Sequence, residues 1–238
     1  LKNIQIKGKF NGATGNYSAH SIAYPKVNWP LSMKRFVNSL KLEFNSHTTQ
    51  IEPHDYIADL CHKINHINSI LIGFSQDIWT YISKNYFSQK NIKGEIGSST
   101  MPHKINPINF ENAEGNLGMS NAISQYFATK LVISRLQRDL SDSTVLRNIG
   151  LVYAYSIIAY KNILLGLNKL DLNKVKIAND LDECWEILAE PIQMVARKYQ
   201  ISNSYELLKK YTRGKKVDKM IIEKIIKSLD IPASEKNR

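Results

Sequence analysis

Apolar residues recur in alternating steps of three and four from position 57, a spacing that predicts one long helix from about Pro53 to Asn85. They are Ile57, Leu60, Ile64, Ile67, Leu71, Phe74, Ile78 and Tyr81. Such spacing places every member on one side of a helix, and a rise of about 1.5 Å per residue gives a length of roughly 45 to 50 Å. Because a long helix with one narrow apolar stripe needs partner helices to cover it, the pattern predicts a bundle.

The segments on either side of this helix also read as helical. A helix is predicted from about Ser32 to Leu42, and a second from about Asn106 to Lys130, where small residues would allow close packing. A third, from about Ser143 to Leu165, is apolar on nearly every side, which is typical of the centre of a bundle or an oligomer. No convincing strand pattern occurs, so the predicted fold class is all-α.

The chain changes character near position 168. Beyond it the charge density rises, shorter helices are expected, and breaks are predicted at Asn173, Pro191, Gly214 and Pro232. We therefore expect two domains, a central helical bundle at 1–168 and a smaller, truncated helical domain at 169–238.

Composition narrows the function only partly. Hydrophobic residues make up 43% and charged residues 22% of the chain, an ordinary globular balance. No apolar run approaches the roughly 20 residues that span a bilayer, so no membrane partner is expected. The net charge of +11 favours anionic partners, from nucleic acid to a small phosphorylated or carboxylated substrate. The lysines are dispersed and no base-stacking aromatic array is evident, which argues against nucleic acid.

The two cysteines, Cys61 and Cys184, lie far apart in unlike contexts and are expected to be buried free thiols of a cytoplasmic protein. Cys61 stands beside His62 and near His66, but no second cluster completes a set of four ligands. We therefore expect neither a metal site nor a cofactor.

The segment "GEIGSSTMPHKINP", residues 94–107, concentrates reactive groups between two predicted helices. Gly94 and Gly97 allow backbone angles closed to other residues. A serine hydroxyl is a poor base unless oriented donors and a cation stabilise its alkoxide, and this segment offers consecutive amides and Lys104. A hydroxyl-rich helix cap would have the same composition, so the residues alone leave both interpretations open.

The run "GSSTMPHKINP" resembles the signature loop of the fumarase/aspartase superfamily at every fixed position. Four further runs, "KFNGATGNYSAH", "TTQIEPHD", "NFENAEGN" and "RDLSDSTVLRN", resemble the adenylosuccinate lyase family, particularly its bacterial branch. The likeness extends from about Gly8 to the end of the chain. It implies a long-helix bundle of the fumarase/aspartase type with a smaller C-terminal helical domain, in a cytoplasmic homotetramer whose active sites each draw on three subunits.

The resemblance also implies a reaction, the β-elimination of fumarate from adenylosuccinate, giving AMP, and from the succinylated aminoimidazole carboxamide ribotide of purine biosynthesis. It assigns the role of base to Ser98, although Ser99 stays open as an alternative. The implied substrate-binding residues are Gln50, Ser99, Lys104, Ile105, Asn106, Asn112, Arg138, Ser143, Thr144, Val145, Leu146 and Arg147. Arginines suit such a substrate because guanidinium binds phosphate and carboxylate groups bidentately.

One departure from the family pattern concerns the general acid, which the family takes from a histidine in a Thr-His-Gly-like stretch. None of the six histidines of this chain lies in such a stretch. We therefore expect the chain to correspond to the middle and C-terminal portion of such an enzyme, without its N-terminal domain, and to be inactive or nearly so by itself. His20 and His54 are interpreted first as structural histidines, with a place beside the site as the alternative, and neither is interpreted as the acid.

Two other functions stay open at this point. A sibling lyase, such as argininosuccinate lyase, would use the same loop on another substrate, and binding of AMP rather than arginine would distinguish them. A non-catalytic helical scaffold, or a fragment that keeps the loop without its function, is the alternative from a different class.

Overall fold

The computed structural model describes residues 4–90, 105–214 and 217–237, which are mainly α-helical. The helices are α1 (Ser18–Ala23), α2 (Trp29–Ser39), α3 (Asp55–Ser83), α4 (Ile108–Lys130), α5 (Ser141–Leu146), α6 (Ile149–Asn168), α7 (Lys174–Glu183), α8 (Ala189–Lys198), α9 (Ser204–Thr212), α10 (Lys219–Ser228) and α11 (Ala233–Lys236), with a 3-10 helix at Trp185–Leu188. The strands β1 (Lys7–Gly8), β2 (Glu43–Phe44), β3 (Phe87–Gln89) and β4 (Leu170–Leu172) have only two or three residues each.

The strands form two small sheets and do not alter the fold class. β1 pairs in parallel with β2, with Lys7 opposite Glu43 and Gly8 opposite Phe44, and β3 pairs with β4. The all-α prediction is therefore confirmed, as is the long-helix bundle.

The described residues form two compact units. One comprises the chain up to Lys84 together with Gln89–Asp171, and the other comprises Asn85–Ser88 together with the chain from Leu172 onwards. The predicted domain limits, 1–168 and 169–238, stay a proposal.

The first unit is built around α3, α4 and α6. One hydrophobic cluster joins Ile57, Cys61 and Ile64 of α3 to Phe127 of α4 and Val152 of α6. A second cluster consists of Ala113 and Leu117 from α4 with Ala159 and Ile163 from α6. Small residues bring α4 and α6 close: a Cβ added at Gly166 would stand 2.7 Å from a ring carbon of Phe110. Close-packed faces of this kind explain the narrow apolar stripes seen in the sequence.

The predicted stripe of α3 is confirmed only in part. Ile57, Ile64 and Ile78 are buried, whereas Ile67 and Tyr81 are 36% and 41% exposed. A straight helix drifts by about 20° per seven residues against an ideal heptad repeat. The drift moves the partner-facing positions one residue towards the C-terminus, so the polar residues Asn68 and Ser75 are buried instead.

The single helix predicted from Ser143 to Leu165 is wrong, because the structure has two helices separated by Arg147 and Asn148. The Asn148 side chain donates to the Thr144 carbonyl (Nδ2–O 3.2 Å), and its amide donates to the Val145 carbonyl. The Leu151 amide likewise donates to the Asn148 carbonyl at 3.0 Å, so the backbone bonds here to the third residue back, a local tightening that the hydrophobic pattern does not reveal.

α6 is apolar beyond the face that it buries. Its buried residues, Val152, Ser156, Ala159, Ile163 and Gly166, form one stripe, while other sides expose leucines and isoleucines. By length and composition alone, Ser141–Asn168 could cross a membrane, with a mean hydropathy of 1.4. That observation is weak, since core helices of globular proteins share the property.

A buried polar network lies at the centre of the three-helix bundle. The Asn68 amide donates to Ser120 Oγ and Ser156 Oγ, at 3.2 Å each, and its oxygen accepts from the Tyr160 hydroxyl at 2.6 Å. Ser120 Oγ also lies 2.9 Å from the Val152 carbonyl and 2.8 Å from Ser156 Oγ. Both amide protons and the amide oxygen of Asn68 are thus satisfied, which is the condition under which buried polar groups stabilise a unique arrangement.

The second unit has its own core, formed by Ile192, Ala196, Leu208, Val217, Ile222, Ile225 and Leu229. The break predicted at Asn173 is confirmed. The Asn173 side chain caps the start of α7 by accepting a hydrogen bond from the backbone amide of Lys176. The predicted break at Pro191 is wrong, because Pro191 lies in the first turn of α8, where a missing N–H costs nothing.

Replacing Asn68 by alanine should lower the free energy of unfolding by about 2–4 kcal/mol, because it leaves a cavity and removes the amide oxygen that accepts from the Tyr160 hydroxyl. Urea denaturation monitored by circular dichroism would measure the change. The control is Ser69→Ala, at an exposed position one residue along α3, which should change stability by less than about 0.5 kcal/mol. Equal stability of the two variants would contradict the role given to the network.

The two cysteines should differ in reactivity. Both are free, Cys61 buried and Cys184 half-buried. Burial raises the pKa of the Cys61 thiol to about 11, so only about 0.1% of it would be thiolate at pH 8. We expect one fast reaction with Ellman's reagent under native conditions, lost in Cys184→Ala and kept in Cys61→Ala. A fast reaction that persists in Cys184→Ala would show that Cys61 is accessible.

Candidate functional site

The candidate base and its closest partners lie outside the described residues. Ser98, Ser99 and Lys104 belong to residues 91–104, and their assignment stays a prediction. The signature loop is described from Ile105, which is exposed, and Asn106, which is half-buried. The Asn106 carbonyl accepts from the Ile108 amide at 2.8 Å, and the Pro107 carbonyl accepts from the Phe110 amide at 3.0 Å. The loop therefore leads directly into the first turn of α4.

Two distant segments that carry candidate residues lie side by side. The backbone amide of Gln50 donates to the backbone carbonyl of Gln137 at 3.3 Å. This bond places Gln50 next to the segment that carries Arg138. The Gln50 and Arg138 residues are exposed, so both can face solvent or a ligand. The structure thus brings together two of the predicted substrate-binding residues.

The residues of α5 divide into an exposed group and a buried group. Thr144 and Arg147 are exposed, and the half-buried Ser143 hydroxyl donates to the Leu140 carbonyl at 3.0 Å. Val145 is buried in the first hydrophobic cluster and Leu146 packs against it. The two apolar residues thus anchor α5 to the bundle, and Thr144 and Arg147 offer their side chains on its outer surface.

Asn112 lies on a different element, about one turn into α4. It is exposed, and Asn116 donates to its carbonyl at 2.8 Å and to its side-chain oxygen at 3.0 Å. Among the described hydrogen bonds of Asn112, none reaches the Gln50 or Arg138 segments. The candidate residues therefore form two groups, one at the start of α4 and one where Gln50 meets Gln137.

Lys9 and Asn11 hold the Gln50 segment, a role that the sequence pattern did not predict. The Lys9 ammonium donates to the carbonyls of Gly12, Thr49 and Gln50, at 2.9, 3.1 and 2.6 Å. Burial lowers the pKa of this ammonium. The buried Asn11 exchanges hydrogen bonds with the Thr48 hydroxyl, at 2.8 and 3.1 Å. In the sequence, the glycine-rich run "KFNGATGN" indicated a loop at these positions, but it gave no indication that the loop contacts residues 48–50.

Gly15 makes the closest approach between these two loops. Its φ of +74° lies in the left-handed region, and a Cβ added there would stand 1.9 Å from the Thr48 carbonyl oxygen. No larger residue fits without moving one of the two backbones. The position of Thr48, and of Gln50 beyond it, therefore depends on a glycine here.

A buried charged cluster joins the Gln50 and Arg138 segments. His54 Nδ1 lies 3.7 Å from Glu52 Oε2, and His54 Nε2 lies 3.6 Å from Asp142 Oδ2. Arg138 Nε lies 3.8 Å from the other Asp142 oxygen. The two carboxylates stand at opposite ring nitrogens and do not converge on one point, and no metal-binding group of three or more His, Cys, Asp or Glu is found within the described ranges.

His20, for which a place beside the site was the alternative to a structural role, belongs to an aromatic cluster. Its ring packs edge-on against Trp29 and Tyr17, with centroids 5.0 and 6.1 Å away. This environment accounts for His20 as a packing residue of the N-terminal loop.

Replacing Gly15 by alanine should destabilise the protein by about 2 kcal/mol or more, since it adds backbone strain and a clash with Thr48. Gly118→Ala is the matched control, because open space surrounds Gly118 inside α4 and alanine should stabilise a helix there by up to about 1 kcal/mol. Thermal unfolding of both variants would measure the changes. A Gly15→Ala variant as stable as the parent would rule out the close approach.

Comparison with known protein families gives two matches that together cover most of the chain. The family model described as "Lyase" matches residues 1–121, and the model described as "Adenylosuccinate lyase C-terminal" matches residues 134–238. The chain is also similar to proteins named adenylosuccinate lyase. Identity is 60% to that of Buchnera aphidicola subsp. Schizaphis graminum and 55% to that of Escherichia coli (strain K12), in both cases over 238 residues. The alignments cover 100% of this chain and 52% of each relative, so the chain spans about half their length.

Solved structures share the fold at much lower sequence identity. A 3-carboxy-cis,cis-muconate lactonizing enzyme from Pseudomonas putida superposes with a TM-score of 0.64 at 17% identity, over 94% of this chain and 49% of that one. A fumarate lyase:delta crystallin from Brucella melitensis gives a TM-score of 0.56 at 14% identity, over 84% and 44%. At such identities the likeness concerns the fold alone.

Proposed function

Because this chain belongs to the lyase family whose model matches its residues 1–121, we propose that it forms part of an adenylosuccinate lyase. The reaction is the elimination of fumarate from adenylosuccinate, giving AMP, and from the succinylated aminoimidazole carboxamide ribotide of purine nucleotide biosynthesis. The observation that carries the proposal is the 53–60% identity of the chain to proteins with that name.

The chemistry divides between a base, an acid and groups that stabilise charge. Ser98, as alkoxide, takes a proton from the succinyl carbon next to a carboxylate, and the electron pair moves into that carboxylate. The pair then forms the double bond of fumarate as the carbon–nitrogen bond breaks, and an acid protonates the departing nitrogen. The Lys104 ammonium offsets the charge of the intermediate, where stabilisation accelerates the reaction most. Ser99 binds a substrate carboxylate, and the acid is not assigned to any residue of this chain.

The described candidate residues suit an anionic substrate. Arg138 Nε faces Asp142, which orients the guanidinium and leaves its terminal N–H groups for a phosphate or carboxylate. Arg147 lies at the exposed C-terminal end of α5, and Gln50 and Asn112 supply neutral amides for the base or ribose. Ile105, Asn106, Ser143 and Thr144 complete the proposed binding set, and Val145 and Leu146 contribute to it by anchoring the helix that carries Ser143 and Thr144.

The exposed apolar sides of the bundle support assembly into a homotetramer, the oligomer included in the proposal. On α6, Leu151, Ile157, Ile158, Leu164 and Leu165 are exposed. Apolar surface of this extent on neighbouring helix turns marks a protein interface. Burial between subunits also accounts for the hydropathy of Ser141–Asn168 without a membrane, and agrees with the proposed cytoplasmic location.

Replacing Ser98 by alanine in the native polypeptide that carries this chain should lower kcat for adenylosuccinate cleavage by about 10²- to 10⁴-fold, because the base is removed. Thr100→Ala removes a neighbouring hydroxyl to which no role is assigned and should leave kcat within about threefold. Absorbance changes on adenylosuccinate cleavage give kcat and KM for each variant.

Two results would contradict the proposal. A Ser98→Ala variant that keeps its kcat would remove Ser98 from the role of base and favour Ser99. Binding of arginine but not AMP to the parent protein, measured by calorimetry, would favour a sibling lyase instead.

A further inference from the structure

His54 occupies the space between two segments that are distant in the sequence. Glu52 is two residues from the candidate Gln50, and Asp142 directly precedes the candidate Ser143. Nδ1 of the ring lies 3.7 Å from the first carboxylate and Nε2 lies 3.6 Å from the second, just beyond hydrogen-bond distance, and neither buried nitrogen has a hydrogen-bond partner elsewhere among the described residues. Among the described side chains, the His54 imidazole is thus the group that bridges the two carboxylates.

All three side chains of this bridge are shielded from water. The side chains of Glu52, His54 and Asp142 are 10%, 12% and 8% exposed. Carboxylates withdrawn from water are costly unless they have charged or hydrogen-bonding partners. Glu52 has further donors in Asn45 Nδ2, at 3.0 Å, and the His54 amide, at 2.7 Å, and Asp142 faces Arg138 Nε at 3.8 Å. Removing the imidazole would take away the described side chain that lies against both buried carboxylates.

The backbone at His54 adopts a conformation that is uncommon for a histidine. Its φ of +67° lies in the left-handed region, where glycine and asparagine are favoured, and it stands at the N-cap of α3 without capping the helix through its side chain. A strained residue persists where its surroundings determine the conformation. The bridge to Glu52 and Asp142 is the interaction of His54 that this conformation makes possible.

We propose that His54 is a positioning residue for substrate binding, which acts through Asp142 to set the spacing between Gln50 and the segment from Arg138 to Arg147. This role rests on the proposed lyase function. Both ring nitrogens are directed at protein carboxylates rather than at a ligand, so His54 acts on the substrate only through these neighbours.

The kinetic test replaces His54 by alanine in the native polypeptide that carries this chain. We expect KM for adenylosuccinate to rise about tenfold or more while kcat stays within about threefold, because binding groups shift and the proton-transferring loop residues do not. His62→Ala is the matched control, an exposed histidine on the same helix, and should change neither constant.

A double variant separates positioning from a general loss of stability. If His54 acts through Asp142, the variant His54→Ala/Asp142→Asn should have a KM no higher than that of the more affected single variant. Independent effects would instead multiply. Multiplied effects, or a His54→Ala variant with lower thermal stability and an unchanged KM, would overturn the proposal.

Hydrogen exchange of the unliganded proteins tests the bridge without any substrate. Peptides that cover residues 48–53 and 138–147 should exchange faster in His54→Ala than in the parent, and should be unchanged in His62→Ala. If the parent does not cleave adenylosuccinate, the proposed lyase function fails while this measurement still decides whether His54 joins the segments. Unchanged exchange in His54→Ala would refute the bridge whatever the activity.

Discussion

Asn68 and its hydroxyl partners determine how the three long helices of the first unit align. An apolar interface tolerates sliding by a turn, since one leucine can replace another with a modest loss of packing. The side-chain amide of Asn68 does not, because a shift of α3 would separate this buried amide from the hydroxyls of Ser120, Ser156 and Tyr160. The alignment of α3 with α4 and α6 is therefore specified by a few polar atoms as much as by the apolar stripes.

The candidate site inherits that alignment. His54 stands at the start of α3, Asn106 and Pro107 lead into α4, and α5 precedes α6 by two residues. A displacement of any of these helices along the bundle would carry its attached candidate residues with it. The loops are then held locally, by Lys9 and Gly15 against residues 48–50 and by His54 between Glu52 and Asp142.

Much of the helical architecture was predictable from the sequence. The bounds of α3, Asp55–Ser83, lie within two residues of the predicted ones, because a stripe repeated over so many turns is a strong signal. The separation of α5 from α6 was not predictable, since it lies in a local tightening of the backbone around Asn148 that leaves the hydrophobic pattern unchanged. Burial of Asn68 in place of Ile67 was missed because the heptad repeat ignores the drift of a straight helix.

The candidate site was predictable as a set of residues and not as an arrangement. The motif resemblance predicted Gln50 and Arg138 as site residues. Only the structure shows that they are close, through the hydrogen bond from the Gln50 backbone amide to the Gln137 carbonyl. Lys9, Glu52 and Asp142 look like ordinary surface charges in the sequence, and their roles arise from contacts between remote segments. Resemblance supplied the chemistry of Ser98, which spacing and composition left undecided.

The backbone hydrogen bond between Gln50 and Gln137 has a consequence for the order of events during folding. Joining them closes a loop of about 90 residues, whose entropic cost is best met once the intervening helices have already condensed. Contacts formed so late contribute little to the nucleus and chiefly retard unfolding. Weakening this junction would therefore shorten the lifetime of the native state more than it would slow its formation.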